Sequence, residues 1–350
     1  MSDVYTKLAA HLDSLPAGYP PTESGVELKI LKKLFTPQEA EIAASLELMP
    51  EKPESIAGKL NMDPAEMATV LEDMAGKGLI FRYKRKGEAY YMAAQFVVGI
   101  WEYHVNDLDE ELIRYFNEYV PDLMKTAWER TPTKQLRVIP ISEEIEAETA
   151  IMPYDQAEEI IRSQSRISVQ PCICRKEHQM VGQGCDYPLE VCLGFGAGAD
   201  FYIDNGLGRA VDTDEALHIL AQGQESGLVI QPGNAQKPAF MCMCCGCCCQ
   251  ILSNLKRLDK PAEMVHTSYR AEVDPDACTG CGVCAERCHM EAVSVADVAE
   301  VDPDRCIGCG VCLPGCEFGA IRLIKKQDYV PPKNTVETYM NMAMERMSDA

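Results

Sequence analysis

No cysteine occurs before Cys172, although the chain of 350 residues holds 18 of them. Thiolate chemistry is therefore excluded from the N-terminal segment and concentrated in the chain from Cys172 onward. Basic residues are scarce too: 33 Lys and Arg stand against 54 Asp and Glu, a net charge of −21. Phosphate repels so acidic a chain, which argues against nucleic acid as a partner. No apolar run is long enough to cross a bilayer, and the opening Met-Ser-Asp carries no basic-then-apolar leader. The expectation is a cytoplasmic protein without a membrane span. There are two tryptophans, Trp101 and Trp128, both expected in cores. No Ser-His-Asp order, paired-carboxylate site or phosphate loop stands out.

Cysteine at this density, without a secretory leader, points to metal ligands in a reducing compartment rather than to disulfides. Cys278, Cys281, Cys284 and Cys288 follow the spacing C-x2-C-x2-C-x3-C, and Cys306, Cys309, Cys312 and Cys316 repeat it. The match extends beyond cysteine. Glu272-Val273-Asp274-Pro275-Asp276 leads into the first set and Glu300-Val301-Asp302-Pro303-Asp304 into the second, an offset of 28 residues. One residue after each first cysteine comes the same Gly-Cys-Gly-Val-Cys. This is an internal duplication. Closely spaced thiolates can face one metal cluster only if the backbone coils tightly, which Gly280, Gly282, Gly308 and Gly310 allow. The competing use of such cysteines is a pair of zinc sites, but zinc ligands usually come as two C-x2-C pairs across a longer loop.

Residues 268–327 resemble the bacterial two-cluster ferredoxins. The resemblance implies that Cys278, Cys281, Cys284 and Cys316 hold one [4Fe–4S] cluster, and Cys306, Cys309, Cys312 and Cys288 the other. One feature departs from the family: the proline usual after each fourth cysteine is His289 in the first repeat and Glu317 in the second. The departure leaves ligation intact and bears on solvent access and potential.

Ten cysteines remain. Cys172, Cys174, Cys185 and Cys192 form one block, and Cys242, Cys244, Cys245, Cys247, Cys248 and Cys249 another. Between them, Asp212 with Glu215 caps a helix to about Glu225, and 227–230 reads as a strand, so a small α/β unit is expected whose cysteine-bearing ends converge. The combination resembles anaerobe "4Fe–4S dicluster" proteins, which carry a Cys-rich block ahead of a ferredoxin domain. All ten thiols are candidate ligands for one or two further iron–sulfur clusters, with zinc as the alternative and some thiols as spectators. Adjacent pairs such as Cys244-Cys245 point in different directions in most backbone conformations, so they are expected to serve different metals, or one of the two to be a structural or redox thiol. Arg175 and Lys176 are placed to stabilise thiolates. His178 reads as a surface residue rather than a ligand. Gly194-Phe195-Gly196-Ala197-Gly198 is expected to follow a cysteine loop rather than a strand, which disfavours a dinucleotide site.

Ahead of these blocks, Thr36-Pro37-Gln38-Glu39 is a capping box and Asp63-Pro64-Ala65-Glu66 opens a second helix. A short helix at 54–60 lies between them, and 79–83 with 89–92 reads as a hairpin. That order is a winged helix-turn-helix. Its would-be recognition helix carries Glu66, Glu72 and Asp73, so a docking module is expected rather than a DNA reader. A long helix from about Phe96 to Arg130, broken near Pro121, comes next, with Leu112, Tyr115, Phe116 and Tyr119 packing on this domain or forming a dimer face.

The expected architecture is therefore α+β and multidomain. It comprises a winged-helix and helical domain (1–130), a linker (131–153) containing the acidic run 143–148, and a Cys-rich α/β domain (154–265). A 2[4Fe–4S] ferredoxin domain (266–327) and a tail helix (328–350) complete it. The expected function is single-electron transfer from a low-potential donor to a partner oxidoreductase, as a carrier or a subunit. The partner would be a flavoprotein or another iron–sulfur enzyme. The competing functions are disulfide-type reduction at a middle-domain cluster and an iron–sulfur redox-sensing regulator. The methionines of the tail are expected to pack back on the protein.

Overall fold

The structure, a computed structural model, describes residues 3–141 and 152–348; the acidic run 143–148 and the side chain of Trp128 lie outside the described residues. Helices α1 (Val4–Ser14) and α2 (Val26–Leu34) precede α3 (Pro37–Ala43), which opens on the capping box. The Glu39 N–H donates to Thr36 Oγ1 at 3.3 Å, and the Thr36 N–H donates to Glu39 Oε2 at 2.7 Å. Helix α4 (Pro53–Leu60) is followed by α5 (Pro64–Gly76), capped by the Asp63 carboxylate. Strands β1 (Phe81–Arg85) and β2 (Glu88–Met92) pair from Phe81↔Met92 to Arg85↔Glu88. The two-residue turn between them, Lys86-Gly87, has φ of 51° and 82°, the left-handed pair that suits a right-twisted hairpin.

The break expected near Pro121 lies elsewhere. Short α6 (Trp101–Tyr103) ends well before α7 (Glu110–Arg130), which runs through Pro121. Asp109 sets the new start, its carboxylate accepting from the Leu112 N–H at 2.8 Å. Tyr119, Val120 and Leu123 are buried around the proline, and this packing holds the helix despite the lost N–H.

The second half continues with α8 (Ala157–Arg162), β3 (Ile167–Pro171), α9 (Ile173–Met180), β4 (Glu190–Phe195), α10 (Ala197–Asp204), β5 (Arg209–Val211) and α11 (Thr213–Glu225). Then come β6 (Val229–Pro232), β7 (Phe240–Cys244), α12 (Gln250–Leu255), β8 (Tyr269–Val273), α13 (Val283–Arg287), β9 (Val293–Val295), β10 (Ala299–Val301), β11 (Ile321–Lys325) and α14 (Thr335–Ser348). The glycine-rich stretch thus does follow a strand: Gly194 and Phe195 close β4, and α10 opens at Ala197.

The chain divides into two compact units. One comprises 1–132, 197–209 and 342–350. Its core is aromatic: Trp101 stacks on Phe116 at 3.6 Å, Tyr19 meets Phe96 and Tyr119, and Phe201 of α10 stacks on Phe81. Leu112, Phe116 and Tyr119 are buried here, while Tyr115 stays half-exposed. Arg346 of α14 donates to the Leu15 carbonyl. Of the tail methionines, Met342 is buried, whereas Met340, Met344 and Met347 are exposed.

The other unit comprises 133–196 and 210–341. Its main sheet has the order β5-β3-β4-β7-β6, and the pairs β3–β4, β4–β7 and β7–β6 are antiparallel. The middle region is therefore built on an antiparallel sheet with helices beside it, not on alternating parallel βα units. A second module has an internal twofold. β8 pairs with β11 and β9 with β10, with Val273 opposite Ile321 and Val293 opposite Val301, equivalent positions of the duplicated sequence. The fold is mixed α+β with this duplicated module towards its C-terminus.

Candidate metal centres

The sheet register decides where the first thiols go. Side chains alternate along a strand, so Cys242 and Cys244 of β7 share one face while Met241 and Met243 are buried on the other. Leu193 of β4 pairs with Met241, which sets Cys192 beside Cys242. Cys172 follows directly on the neighbouring β3, and Cys174 lies in the first turn of α9. The expected convergence of the two cysteine blocks results from these pairings.

Six thiols close into a ring. Cys172 contacts Cys174 and Cys192, Cys174 and Cys244 both contact Cys249, and Cys242 contacts Cys192 and Cys244. The hydrogen bonds alternate in sense. Those from Cys174 and Cys192 hold the Cys172 thiol well below its ordinary pKa, and those from Cys174 and Cys244 do the same for Cys249. Bonds from Cys192 and Cys244 lower Cys242 to about 6. The donors Cys174, Cys192 and Cys244 are raised in return. The direction of the shift thus alternates from thiol to thiol around the ring.

The remaining four are a separate group. The Sγ atoms of Cys185, Cys245, Cys247 and Cys248 all lie within 4.8 Å of one another. Cys185 is 4.0 Å from Cys245 and 3.5 Å from Cys248. Three of these residues come from the loop between β7 and α12, and Cys185 from the loop after α9. Chain neighbours therefore part company: Cys244 and Cys249 belong to the ring, Cys245 and Cys248 to the four-thiol group. His178 joins neither through its ring; its Nδ1 lies 2.8 Å from the Cys174 carbonyl oxygen.

The duplicated module is arranged differently. Cys278, Cys281, Cys284 and Cys316 line one cavity, with Phe318 and Ile321 among its walls. Cys288 interacts electrostatically with Cys306, Cys309 and Cys312. Burial pushes Cys309 up to about 12 and raises Cys306 and Cys312 as well, so these thiols would ionise only with a cation to face. N–H···S bonds obey the internal twofold. Ala271 donates to Cys306 at 3.4 Å and Ala299 to Cys278 at 3.3 Å; Ala292 donates to Cys288 at 3.2 Å and Ala320 to Cys316 at 3.3 Å. Such donors stabilise cluster thiolates and tune their potential.

Two families, each described as a 4Fe-4S binding domain, match this module, one over residues 271–293 and the other over 298–321. This is an iron–sulfur protein whose duplicated module binds [4Fe–4S] clusters. No curated protein and no solved structure matches the chain significantly.

Two side chains that sequence reading undervalued tie the iron–sulfur protein's centres together. Arg175 is fully buried and donates to the carbonyls of Pro188 at 2.8 Å and Met243 at 3.0 Å. Burial would lower its pKa, but its interactions with Cys172, Cys245 and Cys244 raise it instead, so one guanidinium faces both thiol groups. His289, in place of the usual proline, links the duplicated module to the four-thiol loop. Its Nδ1 accepts from the Gly246 N–H at 3.2 Å, which makes Nε2 the protonated nitrogen, donating to the Gly227 carbonyl at 2.7 Å. The only signal for this in the sequence was the departure at the proline position.

Proposed function

We propose that the protein passes single electrons from a low-potential donor to a partner oxidoreductase, with a flavoprotein or another iron–sulfur enzyme as the class of partner. In this reading Cys278, Cys281, Cys284 and Cys316 hold one [4Fe–4S] cluster, and Cys306, Cys309, Cys312 and Cys288 the other. The six-thiol ring of Cys172, Cys174, Cys192, Cys242, Cys244 and Cys249 supplies the ligands of a further cluster. The observation that carries the reading is the duplicated module, whose two sets of four cysteines are met by equivalent N–H···S donors of the kind that tune a cluster's potential. Disulfide-type reduction is less well supported, because Cys172, Cys244 and Cys249 of the ring are buried from any substrate.

The N-terminal unit is, in this reading, a winged-helix docking module for the redox partner. Two of the hairpin's four cations are engaged in ion pairs: Arg82 pairs with Glu72 at 2.5 Å and Lys84 with Asp204 at 2.7 Å. The test is anaerobic purification followed by reductive titration under low-temperature EPR. Stepwise one-electron signals at low potential, from about eight ferredoxin irons by ligand count plus those of the ring, are expected. Zinc throughout, with no visible absorbance, would overturn the proposal.

A further inference from the structure

We propose that Cys185, Cys245, Cys247 and Cys248 bind a single tetrahedral metal ion, zinc or iron, rather than a further iron–sulfur cubane. The inference does not depend on the electron-transfer reading, for which the other thiols suffice. It rests on distance. Around one ion with metal–sulfur bonds of about 2.3 Å, tetrahedral geometry sets the four sulfurs about 3.8 Å apart. In a cubane each thiolate stands off its own corner iron, and the sulfurs spread to roughly 6 Å. All separations within this group fall inside 4.8 Å, with 4.0 Å and 3.5 Å for the pairs Cys185–Cys245 and Cys185–Cys248.

The same structure supplies the contrast. Among the described residues, the cysteines of the duplicated module form no comparably tight group. Cys278, Cys281, Cys284 and Cys316 instead surround a cavity. The six-thiol ring has its contacts between ring neighbours, which leaves alternate members standing wider apart.

The chemistry of the donors fits as well. Four cysteines at mutual contact, with no carboxylate or imidazole among them, are the soft set that zinc and iron take. Four thiolates around a divalent ion leave two negative charges. Arg175 hydrogen-bonds Cys245 from a fully buried position, so part of that charge is met inside the protein. Backbone N–H groups add to this: Tyr187 donates to Cys185, and Cys248 to Cys245. Gly246 is required here by space, since a Cβ would lie 2.7 Å from the His289 carbonyl oxygen. That contact pins the loop carrying three of the ligands.

The experiment compares the full chain, purified anaerobically, with Cys185→Ser and Cys247→His, by zinc, iron and acid-labile sulfide analysis and by X-ray absorption at the edge of the metal found. In the parent, one ion should be present beyond the sulfide-matched iron, with four sulfurs at about 2.3 Å. Cys185→Ser should lose that one equivalent with sulfide unchanged. Cys247→His alters the exposed ligand and should keep the ion, with one sulfur scatterer replaced by nitrogen. This second variant keeps the test decisive if Cys185→Ser fails to fold. Loss of about four irons together with four sulfides from Cys185→Ser would overturn the proposal in favour of a cubane. Unchanged metal content in Cys185→Ser, or an unchanged absorption spectrum in Cys247→His, would overturn it in favour of spectator thiols.

Discussion

Arg175 is the single side chain on which most of the middle region's charge converges. Its guanidinium hydrogen-bonds Pro188 and Met243 carbonyls and faces Cys172, Cys244 and Cys245. Replacement by methionine keeps much of the volume and removes the charge, leaving the thiolates without their buried counter-ion. Arg175→Met should therefore lose metal from both middle thiol groups while the duplicated module keeps its iron, as read by metal analysis and EPR. Arg175→Lys should rescue poorly, because one ammonium cannot reproduce a fork that reaches two carbonyls at once. Equal loss from the duplicated module would show instead that the variant is merely unfolded. The sequence pointed to Arg175 only as a cation beside Cys174. Its burial, and its position facing two groups at once, depend on β7 lying alongside, which no local pattern specifies.

At the scale of elements, the turns around the duplicated cysteines carry the strictest demands. Gly308 and Gly280 occupy equivalent positions, with φ of 68° and 67°. A Cβ on Gly308 would lie 2.2 Å from the Tyr269 carbonyl oxygen, and one on Gly280 would lie 2.5 Å from that of Asp297. Both contacts are with backbone, so neither neighbour can swing aside. Gly308→Ala should destabilise the holo module by about 2 kcal/mol or more, through strain and overlap together. The expected readout is faster cluster loss to a chelator, monitored by the decay of visible absorbance. Gly310, two residues on, serves as the milder comparison: its Cβ would meet the flexible Leu323 side chain at 3.1 Å. The twofold itself was legible in the sequence, because an exact repeat of 28 residues carries its strands and N–H···S donors with it. The helix break was not. Proline at 121 is a strong local signal, but packing of Tyr119, Val120 and Leu123 overrode it, and Asp109 capped a fresh start.

Across the whole molecule, acidity and paired cations set the expected partners. The hairpin's Arg82 and Lys84 are held by Glu72 and Asp204, and the net charge is −21. The full chain should accordingly show only weak, sequence-independent retardation of duplex DNA at low salt in a mobility-shift assay. Submicromolar, salt-sensitive binding would favour the regulator over the carrier. What the sequence determined by itself was everything set by near neighbours: the capped helices, the hairpin turn, the duplicated module and the restriction of metal chemistry to the chain from Cys172 onward. These arise from spacings of a few residues, where backbone geometry leaves few choices. The tertiary structure alone decided how the ten middle thiols divide into six and four. Chain neighbours Cys244 and Cys245, and again Cys248 and Cys249, fall in different groups. Strand alternation sends Cys242 and Cys244 to one face, the loop after β7 turns Cys245, Cys247 and Cys248 towards Cys185, and both outcomes rest on β-pairings between residues about fifty apart in sequence.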